Sequence, residues 1–282
     1  MKKQKSIMPR IRKAMTDGFD ATVQILQTCR PDEIFDAVTN DTKVTPFEMA
    51  NYPAGVLSTT HNGQVVKGTY LTSLKEIHTN IGGYENFYSM LYDEESKRVF
   101  ANMSLYRVYP FNKLANDVCD SVNPIFFDEN IIKTGKTEVF ADICDPGEDT
   151  VSPYLRHCGR YSRIYVYEVF ENPGEDLPEK CKDIVFRKTS ADLNLDAEIK
   201  ERLSFIKIDA SGAGINTIEG AAGHIKNHSP KLAVNISRFD TDFREIPSLI
   251  HSINPNYKFY VRHYHFNPEK PLPDMKTILY AV

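Results

Sequence analysis

Three carboxylates close apolar runs in the second half of this chain, and each falls where α/β sheets place their chemistry. Glu138-Val-Phe-Ala-Asp142 ends in Asp142, Arg163-Ile-Tyr-Val-Tyr-Glu168 in Glu168, and Ser204-Phe-Ile-Lys-Ile-Asp209 in Asp209. Open α/β sheets bind ligands beyond the carboxyl ends of their strands, beside the point where strand order reverses. An acid ending the second strand is placed to hydrogen-bond the ribose of a nucleoside, and a carboxylate can also act as a general base. A single acid after a strand is commonly a turn or helix-start residue. The trio in one α/β unit points to a nucleoside-type pocket. The third run continues as Ala210-Ser211-Gly212-Ala213-Gly214, a glycine-bearing turn into a helix.

The elements that would position these acids follow from periodicity. Strands are expected at 138–142, 163–168, 184–187, 204–209, 231–236, 257–264 and 277–282. Helices are expected at 150–158, 195–203, 215–227 and 243–253. Alternation of this kind argues a mainly parallel sheet with helices on both faces. The last two strands have no helix between them and read as antiparallel neighbours at one edge. Before them, helices are expected at 21–26 and 31–38. Tyr84 to Tyr106 is expected to be a single long helix, with Tyr84, Phe87, Tyr88 and Leu91 at helical spacing. Asn62-Gly63, between His61 and Val65-Val66, reads as a hairpin turn. The domain expectation is a helical or mixed lead-in over 1–130 and an α/β domain over 131–282.

Bulk properties narrow the function classes. The chain has 282 residues, is 41% hydrophobic and carries a net charge of −4. It can build a real core, and it presents no electrostatic case for nucleic acid. Basic residues near the start (Lys2, Lys3, Lys5, Arg10, Arg12, Lys13) read as a solvated helix face. No apolar run is long enough for a membrane-spanning helix. Five scattered cysteines without a C-x-x-C pair, and no leader-like start, suit a reducing cytoplasm and offer no zinc site. His224 and His228 stand four apart, but read as structural residues rather than metal ligands. Ser211 with His263 lacks the G-x-S-x-G surroundings of a hydrolase elbow.

The segments from Tyr84 to Val282 resemble the FkbM family of S-adenosylmethionine-dependent methyltransferases. The resemblance rests on Glu138-Val-Phe-Ala-Asp142, Glu148-Asp-Thr-Val151, Ile164-Tyr-Val-Tyr-Glu168 and Phe205-Ile-Lys-Ile-Asp209. It extends through Ile218-Glu-Gly-Ala221, Pro230-Lys-Leu-Ala-Val234, Glu245-Ile-Pro247, Tyr257–Tyr264 and Thr277–Val282. It implies a class I, Rossmann-like methyltransferase sheet and methyl transfer to a hydroxyl of a sugar or natural product. Carried over position by position, it implies S-adenosylmethionine contacts at Asp142, Gly147, Glu168 and Asp209. It implies a catalytic role for Asp209 and a substrate side at Arg238; His263 and His265, near the end of the following strand, are further candidates to line the pocket, against the alternative that they are bystanders.

The chain departs from the family pattern where that pattern meets ligand. Cys144-Asp145 stands for Gly-Ala, and Glu148 for the second glycine, with Gly147 as a displaced replacement. Ser211 and Gly214 stand for two glutamates, and Ser237-Arg238 for Tyr-His. A serine hydroxyl is a poor substitute for a carboxylate base, and Pro146 removes an N–H from the turn. Only residues 169–208 separate the second and third acids, a short span rich in Pro, Gly and charge. A strand or crossover is therefore expected to be reduced, and the adenine wall with it. The leading expectation is a degenerate methyltransferase-like protein, non-catalytic or reprogrammed as a binding or partner module. The alternative is a working O-methyltransferase with altered geometry.

Overall fold

The computed structural model describes residues 7–41, 64–149, 151–170, 183–267 and 274–282. Its strands are β1 (Cys119–Asp120), β2 (Val139–Cys144), β3 (Arg163–Val169), β4 (Ile184–Thr189), β5 (Phe205–Asp209), β6 (Lys231–Asn235), β7 (Phe259–Asn267) and β8 (Asp274–Ala281). They join in the order β1-β7-β8-β6-β5-β2-β3-β4. Pairings β2–β3, β3–β4, β2–β5 and β5–β6 are parallel, and β6–β8 is antiparallel. This is a class I methyltransferase-like, mainly parallel sheet. Strand order runs outward from β2 to β3 and β4, then outward again from β5 to β6. The reversal, and with it the binding crevice of such sheets, lies between β2 and β5.

The chain divides into two compact units. One gathers Met1–Asp120, Phe239–Thr241 and Val261–Lys276; the other gathers Ser121–Arg238, Asp242–Tyr260 and Thr277–Val282. The first is largely helical. Helices Met8–Asp17 and Phe19–Thr28 meet at Gly18, whose φ of +78° turns the chain between them. Phe19 stacks on Tyr88 at 4.4 Å, and Phe87 meets Phe100 edge-on at 5.2 Å. The long helix expected over Tyr84–Tyr106 is two helices, Ile81–Met90 and Glu94–Val108. The cause is Asp93. Its carboxylate accepts the Ser96 N–H at 2.7 Å as the N-cap of the second helix, and Arg262 grips the same carboxylate at 2.7 Å. An N-cap residue needs extended backbone, so the periodic run must break there. The Asn62-Gly63 hairpin lies outside the described residues; Val65 and Val66 fall in the helix Gln64–Thr79.

The second unit holds the parallel strands. Phe140 of β2 stacks between Phe205 (4.9 Å) and Tyr154 of the helix Val151–His157 (4.5 Å). Glu138 anchors the start of β2, with Lys231 donating to it at 2.9 Å and the Ser204 hydroxyl also donating. Two expected helices differ. The run over 195–203 gives only one turn, Leu195–Glu198, capped by the Asn194 side chain. The run over 215–227 breaks at Ala221 into Gly214–Gly220 and Ala222–His228. There the Asp196 carboxylate accepts the N–H groups of Gly223 (2.6 Å) and His224 (2.9 Å), satisfying a second helix start. β4 is retained, and a one-turn helix precedes β5; the expected reduction of the β3–β4 crossover falls on residues 171–182, outside the described residues. β7 and β8 are neighbours on the β6 side of the sheet, with β8 antiparallel to β6 and the two-residue β1 pairing β7 outside them. Among the described residues no helix is long and apolar enough to cross a membrane.

His263 of β7 is fully buried in the first unit. Burial, with the Arg107 guanidinium nearby, pushes its imidazole down to about 3. Between that value and its ordinary 6.5 the unfolded chain binds the proton more readily. The stabilising contribution is therefore present above about pH 6.5 and lost as pH falls toward 3, at up to about 1.4 kcal/mol per pH unit. Denaturant unfolding across this range is expected to show that slope in the wild type and a flatter one in His263→Gln.

Candidate functional site at the strand ends

β2, β3 and β5 deliver their carboxyl ends side by side. Cys144 is register-paired with Glu168 on one side and with Asp209 on the other. Sequence-predicted residues Asp142, Gly147, Glu168, Asp209 and Arg238 all belong to this unit, and most of them bond to protein groups.

Asp142 faces inward. It is register-paired with Lys207, whose Nζ donates to Asp142 Oδ1 at 2.7 Å, and both side chains are buried. The Lys207 ammonium also lies 4.8 Å from the centre of the Phe126 ring, a cation–π contact. Phe126 reaches it from a left-handed backbone, with φ of +68°. Burial opposes charge on Lys207, yet Asp142 and then Asp209 outweigh it and hold the ammonium above its ordinary range. Asp142 Oδ2 is buried without a hydrogen-bond partner among the described residues. Cys144 is buried as well. Burial first, then the Asp142 charge, pushes its thiol up to about 12, so it stays protonated and is no nucleophile.

The turn after β2 reads Asp145-Pro146-Gly147-Glu148. Proline at the second position and glycine with φ of +78° at the third are the arrangement of a type II turn, closed by the Glu148 N–H to the Asp145 carbonyl at 3.4 Å. Gly147 takes the left-handed position of that turn, and its N–H donates to Glu168 Oε1 at 3.2 Å. Gly147 and Glu168, both expected to hold cofactor, hold one another.

Asp209 is fully buried at the end of β5. Its Oδ1 accepts from Asn235 Nδ2 at 2.8 Å and from Arg238 Nη2 at 3.1 Å, and Arg238 also donates to its carbonyl at 3.0 Å. Asn235 is fixed in turn by the Ser237 N–H (2.9 Å) and hydroxyl (2.6 Å). The same Arg238 Nη2 pairs with Asp145 Oδ2 at 3.1 Å. Asp145 Oδ1 accepts the Ser211 N–H at 2.9 Å, and Oδ2 the Ser211 hydroxyl at 3.1 Å. Burial again opposes charge on Arg238, and Asp209 and Asp145 together raise it above its ordinary value.

His263 belongs to the first unit and is buried there, and His265 lies further along β7 in the same unit. His224 Nε2–H donates to the Ile199 carbonyl at 3.2 Å, with His228 5.7 Å away ring to ring. Among the described residues no three metal-ligating side chains converge. Sequence reasoning missed Lys207 and Asp145 as partners. For Lys207 a signal existed: a lysine between Ile206 and Ile208 in a buried parallel strand must be paired. Lys207→Met is expected to destabilise the fold by about 3–5 kcal/mol, because Asp142 is left as an uncompensated buried charge. The double change with Asp142→Leu is expected to recover most of that loss, read as the denaturation midpoint at unchanged m-value.

No family model matches the sequence, and no curated protein matches it. Among solved structures, the chain resembles methyltransferase FkbM from Methylobacillus flagellatus KT, with a TM-score of 0.62 and 18% identity over 78% of this chain and 66% of that one. Two further likenesses are the fibrillarin pre-rRNA processing protein of Methanococcus jannaschii (TM-score 0.37, 13% identity, 54% of this chain and 69% of that one) and an rRNA methylase from Streptococcus thermophilus (0.36, 16%, 56% and 92%). The chain thus spans just under two thirds of the FkbM structure's length, and at this identity what the two share is a fold: this protein has the fold of an FkbM methyltransferase.

Proposed function

We propose that this chain is a methyltransferase-fold protein that does not transfer methyl groups and serves instead as a binding or partner module. The observation that carries this reading is the tie of Arg238 and Ser211 to Asp145 across the crevice between β2 and β5. S-adenosylmethionine would have to place a carboxylate and a ribose at these strand ends. The residues present fit it poorly. Asp145 adds a negative group where the carboxylate would lie, and its cation is already engaged. The Gly147 N–H is taken by Glu168. Asp209, the expected catalytic acid, is buried and held by Arg238 and Asn235, out of reach of an acceptor hydroxyl. A general base must lie within hydrogen-bond reach of the proton it removes.

One observation favours the alternative, an active O-methyltransferase on a sugar or natural product. Glu168 is half-exposed at the end of β3, so its carboxylate remains open to a ribose. Calorimetric titration separates the two readings. The wild type is expected to give no binding heat with S-adenosylmethionine or S-adenosylhomocysteine. A micromolar dissociation constant that Glu168→Ala weakens about tenfold or more, the loss of a charge-assisted hydrogen bond, would sink the non-catalytic reading.

A further inference from the structure

We propose that the N–H and hydroxyl of Ser211 and the guanidinium of Arg238 form a carboxylate-binding site, which the chain fills with its own Asp145. The inference rests on the closed-crevice reading above and names what closes it. Both oxygens of Asp145 are used: Oδ1 by the Ser211 N–H at 2.9 Å, Oδ2 by the Ser211 hydroxyl and Arg238 Nη2, each at 3.1 Å. A backbone amide, a hydroxyl and a guanidinium converging on one planar group is how proteins recognise a carboxylate.

The receptor stands without its plug. Arg238 is anchored separately on the Asp209 carbonyl and carboxylate. Ser211 sits in the Ala210–Ala213 turn, closed by the Ala213 N–H to the Ala210 carbonyl at 3.3 Å. The plug is also separable from the fold. The backbone of Asp145 is held by the turn it opens and by Gly147 on Glu168, not by its own side chain. That side chain is 30% exposed and Arg238 29%, so solvent and small solutes reach the contact. Charge sets the ligand class. Asp209 touches the same guanidinium, and Glu148 lies within its field. Those negative neighbours admit a single carboxylate in place of Asp145 and repel a dianion. The occupant is therefore a small molecule presenting one carboxylate, and Asp145 is an internal competitor for it.

The test is acetate titration of Asp145→Ala at constant ionic strength, followed by the Ser211 amide in ¹H–¹⁵N correlation spectra. The amide is expected to shift saturably, with a dissociation constant about tenfold or more below that of the wild type, the worth of a charge-assisted pair. Sulfate is expected to leave it unmoved. A Ser211 amide blind to acetate in the folded variant, or equally responsive in the wild type, overturns the proposal. Asp145→Gly serves as the second variant. Loss of fold in both also overturns it, since Asp145 would then be a structural residue and not a plug. Binding of S-adenosylhomocysteine to the wild type counts against the closed-crevice reading instead, so the two failures are told apart.

Discussion

The strand ends of this sheet depend on one buried ion pair, Asp142 with Lys207. The two residues are register partners on β2 and β5, the strands that flank the reversal of strand order. A carboxylate removed from water costs several kcal/mol even after relaxation, and only a close cation at good geometry offsets it. Lys207 supplies that at 2.7 Å, with the Phe126 ring against its ammonium. The pair does not end there. Lys207 also feels Asp209, which is two residues along its own strand and so on the same face. Asp209 is held by Arg238, and Arg238 by Asp145. Charges alternate along the whole line: Asp142, Lys207, Asp209, Arg238, Asp145. Each inner member is stabilised by both neighbours, and each end member by one.

That line governs what the crevice can do. Crevices at strand-order reversals bind ligands because backbone groups and a few acids are left facing outward. Here the outward groups are turned on one another. The Gly147 N–H meets Glu168, the Ser211 N–H meets Asp145, and the Asp209 carboxylate meets Asn235 and Arg238. A ligand that took these groups would exchange existing charge-assisted bonds for new ones. Cys144, where a glycine would let a ligand approach, is instead a buried and protonated thiol.

The sheet was legible in the sequence because strands buried on both faces read as short apolar runs, and each expected run from 138 onward is a strand. Of the three acids expected to end strands, Asp209 does and Glu168 lies one residue short of the end of β3, whereas Asp142 sits inside β2, which runs on to Cys144. Helix breaks were not. Asp93 and Asp196 each divide or shorten an apolar-periodic stretch through hydrogen bonds to backbone N–H groups, and periodicity does not register a capping side chain that interrupts it. Partners across the crevice were the least legible. Asp145, Ser211 and Arg238 lie on turns after three different strands, and nothing in their spacing says that they meet. The cation needed to make Asp145 tolerable was foreseeable as a requirement; that Arg238 supplies it follows only from the order in which β2, β5 and β6 are laid side by side.

The departures from the FkbM pattern gain meaning from this placement. By the resemblance alone, Asp145 stands where the pattern has alanine, Ser211 where it has glutamate, and Arg238 where it has histidine. Here the three changed side chains meet at one point, with both carboxylate oxygens satisfied and the guanidinium shared between two acids. A glutamate at position 211 would set a second carboxylate against Asp145, and a neutral histidine at 238 would leave both Asp145 and Asp209 without their cation. The three residues are therefore physically consistent only as a set. Such a set is a built contact at the carboxyl ends of β2, β5 and β6.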